Sequence, residues 1–287
     1  MNKTTKTVFI TGSSSGIGKA TALYFAQQGW NVAATMRTPA KETELGKLPN
    51  VKLFRLDVLD MDSIRQALAD ARTAFGGIDV LVNNAGYGAV GVFEAASPEQ
   101  VQRQFDTNVF GVMNVIREIL PYFREKRNGP DSGPCIINVT SMGGLITFPI
   151  YSIYHGTKWA VEGFTEALSF ELRPFNIRVK NIEPGAIKTD FYDRSQDLLQ
   201  KDGLTAYDEY VRVTLANSQK AGADAPGPEV VAEKIFVAAN DRSFRLRYPV
   251  GGQSPLLLAI RRIIPLSWFH GIVRSVVEKG FKPTVAA

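Results

Sequence analysis

Tyr154 and Lys158 are the pair in this chain best suited to moving a proton. A helix turns once in about 3.6 residues, so side chains four apart project from one face, a turn from each other. A phenol normally gives up its proton near pH ~10, and an ammonium within a few Å favours the phenolate and brings that value down. The same spacing also suits a surface tyrosine and a solvated lysine on an amphipathic helix, and by itself it leaves both readings open. His155, between them, points about a third of a turn away from Tyr154 and is expected to face elsewhere.

The segments before this pair read as alternating strands and helices. Thr7 to Thr11 is a short buried strand, followed by Gly12-Ser13-Ser14-Ser15-Gly16-Ile17-Gly18 and a helix from Lys19 to Gln28 closed by Gly29. A glycine-rich turn from strand into helix lets backbone N–H groups approach phosphate oxygens, with the positive helix end behind them. The same stretch satisfies Gly-x-Ser-x-Gly, the nucleophile elbow of hydrolases, with Ser14 as nucleophile and His155 or His270 as base.

Asn31 to Met36 is a second strand, with Arg37 at its end where a dinucleotide fold meets the adenosine ribose. An acid there would bond the 2′-hydroxyl, whereas an arginine pairs with a 2′-phosphate, so NADP(H) is preferred over NAD(H). Val51 to Leu56 leads to Asp57-Val58, and Asp60 is placed to cap a helix over Met61 to Phe75 that stops at Gly76-Gly77. Asp79 to Val82 runs into Asn83-Asn84-Ala85-Gly86. From Ser97-Pro98 a long helix extends to about Lys126 with Asn108 in its middle, where a buried polar task would explain a poor helix former. After a loop, Asn128 to Pro134, the strand Cys135 to Val139 delivers Ser141 at its C-terminal end. The Tyr154 helix runs to about Pro174, and the strand Ile177 to Ile182 precedes Pro184-Gly185.

This alternation calls for an α/β fold: one Rossmann-like, doubly wound parallel sheet with helices on both faces, formed by a single domain over residues 1–287. Hydrophobic residues make up 45% and charged ones 21%, ordinary for a globular enzyme. The net charge of +5 is scattered without a dense basic block, so nucleic acid is not an expected partner. A lone cysteine, Cys135, excludes an intrachain disulfide and a cysteine zinc cage, and no metal site is expected. No signal-peptide pattern or membrane-length apolar run is present, which makes the cytoplasm the expected location.

Taken together, these motifs resemble the short-chain dehydrogenase/reductase family over roughly residues 5–190. The resemblance implies that Gly12, Ser14, Ser15, Gly16, Ile17 and Gly18 hold cofactor phosphates. It sets Asp57 and Val58 near adenine, Asn84, Ala85 and Gly86 beside the sheet, and Pro184, Gly185, Ile187 and Thr189 on the nicotinamide side. Asn108, Ser141, Tyr154 and Lys158 match the family's catalytic tetrad, with Tyr154 and Lys158 also touching cofactor. It implies hydride transfer on a small carbonyl or alcohol substrate, with Asn108 placing a water that links Lys158 to solvent, in a homodimer or homotetramer built on the two long helices. It disfavours the Ser14 hydrolase. A nucleotide-sensing binding protein on the same fold is the remaining alternative.

By the same resemblance residues 190–227, irregular and bearing Phe191, Tyr192, Tyr207 and Tyr210, form a substrate lid. Tyr87, Val90, Phe93, Met142, Leu145, Ile146 and Phe148 are candidates for the pocket mouth and would suit an apolar substrate such as a steroid, retinoid or fatty ketone. The C-terminal extension, 254–287, mixes apolar runs with arginines around Pro265. It is expected to cover the pocket or a neighbouring subunit, with membrane contact as the less favoured reading.

Overall fold

A computed structural model of the chain describes residues 5–126, 133–189 and 196–282. Seven strands form one parallel sheet. In chain order these are β1 (Thr7–Ile10), β2 (Asn31–Met36), β3 (Val51–Arg55), β4 (Val80–Asn83), β6 (Cys135–Val139), β7 (Arg178–Pro184) and β9 (Arg247–Val250). Their spatial order is β3-β2-β1-β4-β6-β7-β9. The chain moves outward from β1 to β3 and then returns to the other side of β1 with β4. The loops leaving β1 and β4 therefore diverge and open a crevice at the strands' C-terminal ends.

The strands are buried on both sides, as their near-continuous apolar runs require. Within β1, Val8 and Ile10 pack on one face with Phe25, Trp30 and Ile235, from helices α1 (Gly16–Gln27) and α7 (Glu229–Asn240) and the turn after α1. Phe9 points the other way, onto a core shared with α2 (Met61–Phe75), α4 (Gly111–Glu125) and α5 (Ser152–Leu172), including Ile64, Val115 and Val161. Two helical layers thus sandwich one sheet, as expected from the alternation.

Local signals set several boundaries. Asp60 caps α2 by accepting from the backbone N–H groups of Asp62 and Ser63, each at 3.1 Å, and the helix ends at Gly76 with φ of 76°. Ser97 and Gln100 form a capping box that starts α3 (Pro98–Phe105).

Two expectations need correction. The long helix through Asn108 is interrupted by a π-helical segment, Asp106–Phe110, between α3 and α4. Residues 196–227 are not irregular throughout. They include β8 (Gln196–Leu198), paired with β5 (Gly88–Val90), and helix α6 (Asp208–Gly222), which starts with Asp208 and Glu209 at its positive end and packs on the last helix, Leu266–Val277. Phe191 and Tyr192 lie outside the described residues. The C-terminal extension is two helices, α8 (Ser254–Ile263) and α9 (Leu266–Val277), separated at Ile264-Pro265.

Candidate active site

Tight backbone packing builds the crevice. Gly12 has φ of 69°, and a Cβ there would stand 2.8 Å from Ala85 Cα. A Cβ on Gly18 would run into the Gly12 carbonyl oxygen and the Asn84 amide. The loop after β1 is therefore pressed against the loop after β4. Asn84 Nδ2 donates to the carbonyl oxygens of Thr11 and Gly12 at 3.1 and 3.0 Å, and Thr11 Oγ1 accepts from the N–H groups of Asn84 and Ala85. The first turn of α1 has neither a side-chain cap at Ser15 nor an acid, so its N–H groups stay available to an anion.

This arrangement fits a dinucleotide pyrophosphate. Ser14, Ser15, Gly16 and Ile17 line one cavity of about 1150 Å³ together with Gly12, Arg37, Asp57, Val58, Asn84, Ala85 and Gly86. That is more than one small ligand needs, typical pockets being roughly 300–1,000 Å³. Arg37 stands exposed after β2, and Asp57 Oδ1 is occupied by the Leu59 N–H at 3.0 Å. Pro184, Gly185, Ile187 and Thr189 line the same cavity, with Thr189 beside Gly16.

Ser141, Tyr154 and Lys158 also line the cavity. Ser141 Oγ accepts from the Gly143 N–H at 3.0 Å, which leaves its own hydrogen to donate. Lys158 Nζ donates to the Val139 carbonyl oxygen at 3.1 Å and lies 5.7 Å from the centre of the Tyr154 ring. Burial drives the Lys158 pKa down to about 8, with Glu162 partly opposing the shift.

Two anticipated residues stand behind the wall. Gly18 lies beneath the loop, as its contacts with Gly12 and Asn84 require. Asn108 is buried in the π segment, where its Oδ1 accepts from Tyr87 N at 3.1 Å and its Nδ2 donates to Tyr87 O at 2.8 Å and Thr157 Oγ1 at 3.3 Å. The extra residue of a π turn changes the phase of the helix on either side of it.

His155 corrects the expectation that it faces away, because its ring lines the cavity among Phe148, Tyr151 and Tyr154, with ring centres 5.7–5.9 Å apart. Its Nδ1 accepts from the Phe148 N–H at 3.3 Å, and burial lowers its pKa to about 4. That is a poor base for Ser14, and no hydrogen bond joins the two; His270 is exposed on α9. Of the mouth candidates, Tyr87, Met142 and Phe148 line the cavity. Val90 is buried in β5, Phe93 is exposed, and Leu145 and Ile146 pack beneath α8 and α9. Sequence reading missed Leu257, Ile272 and Val276, which reach the cavity from those helices.

At the end of β7, Glu183 is fully buried with neither carboxylate oxygen hydrogen-bonded, though Arg247 Nε stands 3.3 Å away. Burial, then the nearby Glu162 charge, push its pKa up to about 8. The same Arg247 pairs with Glu162 at 3.2 Å and Glu166 at 2.7 Å.

The family model described as short chain dehydrogenase matches residues 6–198. The chain belongs to the short-chain dehydrogenase family. It is an oxidoreductase of that family, similar along nearly its whole length to the uncharacterized oxidoreductase YusZ of Bacillus subtilis. The two are 37% identical over 284 residues, covering 96% of this chain and 98% of YusZ. Among solved structures, a short-chain dehydrogenase from Streptomyces avermitilis is 32% identical with a TM-score of 0.79, covering 96% of this chain and 99% of its own. ElxO, solved with NADP, is 27% identical with a TM-score of 0.70, covering 88% and 99%. A Burkholderia phymatum member of the family, solved with NAD, is 26% identical with a TM-score of 0.76, covering 90% and 92%.

Proposed function

We propose that this protein transfers a hydride between NADP(H) and the carbonyl or alcohol carbon of an apolar small molecule. The observation carrying this reading is that Ser141, Tyr154 and Lys158 open onto the same cavity as the glycine cradle of Gly12 and Gly16. When bound, the nicotinamide supplies or accepts the hydride. Tyr154 gives or takes the proton on the reacting oxygen. Lys158, held by Val139, keeps a positive charge near the phenol and favours its ionised form. Ser141 donates to the reacting oxygen and opposes charge build-up there. Asn108 is assigned the placing of a water between Lys158 and solvent, while its side-chain amide binds Tyr87 and Thr157.

Arg37 supports NADP(H) over NAD(H), since a guanidinium pairs with a 2′-phosphate and no acid occupies that position. Tyr87, Met142, Phe148, Leu257, Ile272 and Val276 give the substrate side an apolar lining. A homodimer or homotetramer in the cytoplasm completes the reading, with exposed Phe110, Trp159 and Phe170 on the long helices available for the contact. The test is NADPH consumption against a panel of ketones and aldehydes, repeated with NADH. Turnover with an apolar carbonyl and NADPH is expected. NADPH binding with no turnover across the panel would favour a nucleotide-sensing role instead.

A further inference from the structure

Helices α8 and α9 carry apolar side chains on two faces. Their inner face is accounted for: Leu258, Phe269, Val273 and Val277 are buried with Ile146, against Leu145 and the cavity-lining Met142 and Phe148. The outer face is not. Leu256 (60% exposed) and Ile263 (81%) lie seven residues apart on α8, and Trp268 (68%), Ile272 (43%) and Val276 (54%) recur every four residues on α9. Large exposed apolar residues concentrated on two consecutive helices mark a contact surface.

The charges around it restrict the occupant. Over residues 254–282, Arg261, Arg262, Arg274, Lys279 and Lys282 stand against one acid, Glu278, whose carboxylate already accepts from the Tyr210 hydroxyl at 3.0 Å. Arg262 adjoins Ile263, and Lys279 follows Val276 by three residues, near the same stripe. Two copies meeting through this face would set like charges against each other. We propose that α8 and α9 dock the protein onto an anionic lipid surface. Tryptophan, aliphatic residues and flanking arginines form the composition of a helix lying in the headgroup region. The helices lie on the bilayer without crossing it, because 10 and 12 residues reach only about 15–18 Å against a hydrocarbon core of ~30 Å.

The position of this face gives docking a consequence. Ile272 and Val276, on the exposed stripe, also line the cavity holding Ser141 and Tyr154. A lipid-dissolved substrate would therefore meet the cavity mouth without crossing bulk water. This second step rests on the apolar substrate proposed above; the docking does not.

The experiment is co-sedimentation of the full-length protein with phosphatidylcholine vesicles, with and without about one third phosphatidylglycerol, beside the double variant Ile263→Asp, Trp268→Glu. Neither residue lines the cavity, and NADPH turnover on a water-soluble ketone, measured in parallel, keeps this test separate from that of the reaction. Sedimentation with the anionic vesicles is expected, falling by about tenfold in the variant. It should also weaken in about 0.5 M salt, where charges are screened within a few Å. Absence of sedimentation at millimolar lipid, or equal binding by the variant, overturns the proposal. It is also overturned if the wild type ignores vesicles while light scattering shows the variant breaking up an oligomer.

Discussion

Lys158 Nζ is held at 3.1 Å by the main-chain oxygen of Val139, the last residue of the strand that delivers Ser141. One neutral acceptor compensates poorly for desolvating an ammonium, and the Lys158 pKa falls to about 8. Between pH 8 and 10.5 the unfolded chain keeps a proton that the folded one has lost, so this residue's contribution to stability improves as pH rises through that window. At pH 7 the charged lysine costs up to about 3 kcal/mol, at roughly 1.4 kcal/mol per pH unit. Lys158→Met is expected to unfold at higher denaturant than wild type at pH 7, with an advantage that shrinks towards pH 10, while turnover is lost. A variant less stable at pH 7, or a gap indifferent to pH, contradicts the burial argument.

His155 titrates in the opposite range. It folds neutral with a pKa of about 4, so its contribution is complete above pH 6.5 and is lost as pH falls through 4. His155→Asn keeps an acceptor for the Phe148 N–H. Its stability is expected to vary less than wild type between pH 6.5 and 4, by up to about 3 kcal/mol. Parallel acid-unfolding curves would show that the imidazole is not buried as described.

Glu183 holds its proton up to about pH 8 when folded and releases it near 4.5 when unfolded, so wild-type stability falls as pH rises across that interval. Glu183→Gln removes the slope at constant volume. Thermal melts are expected to place the variant above wild type at pH 8, by an amount on the order of a few kcal/mol. A variant with a lower melting temperature at pH 8 would mean that the Arg247 ion pair outweighs the burial.

Most of the fold and cradle could be read in the sequence, because each depends on short-range rules. Parallel strands such as Cys135–Val139 are apolar throughout, and Gly12 and Gly18 are forced by backbone atoms that a Cβ would strike. Asp106–Phe110 is a run of poor helix formers, but low propensity does not tell a π turn from an α turn, so the π segment is not legible in the sequence. Ile150 takes φ of 61°, rare for a β-branched residue, just before α5, and nothing in its neighbours announces it. The surroundings of His155 are not legible either, because a helical angle gives its direction from Tyr154 but not what lies there, which is the loop at Gly143. Helix α6 is not legible in the sequence because its partners, at and just after the end of α9, come some 60 residues later, as in the bonds from Asn217 to the carbonyls of Val277 and Lys279.

Arg37 is the proposed determinant of cofactor choice. Charge-assisted hydrogen bonds contribute about 1.5–3 kcal/mol, so Arg37→Asp should weaken NADPH binding by roughly 10- to 100-fold and improve NADH binding. Fluorescence titration with both cofactors reads this. Unchanged NADPH affinity would remove Arg37 from the site.

Tyr154→Phe removes one oxygen from the cavity that Ser141 and Lys158 share. Initial rates with a ketone substrate, taken beside NADPH titration of the same variant, should show turnover reduced at least about 100-fold with NADPH affinity near that of wild type. Near-normal turnover with the variant folded and binding NADPH would contradict proton transfer by Tyr154.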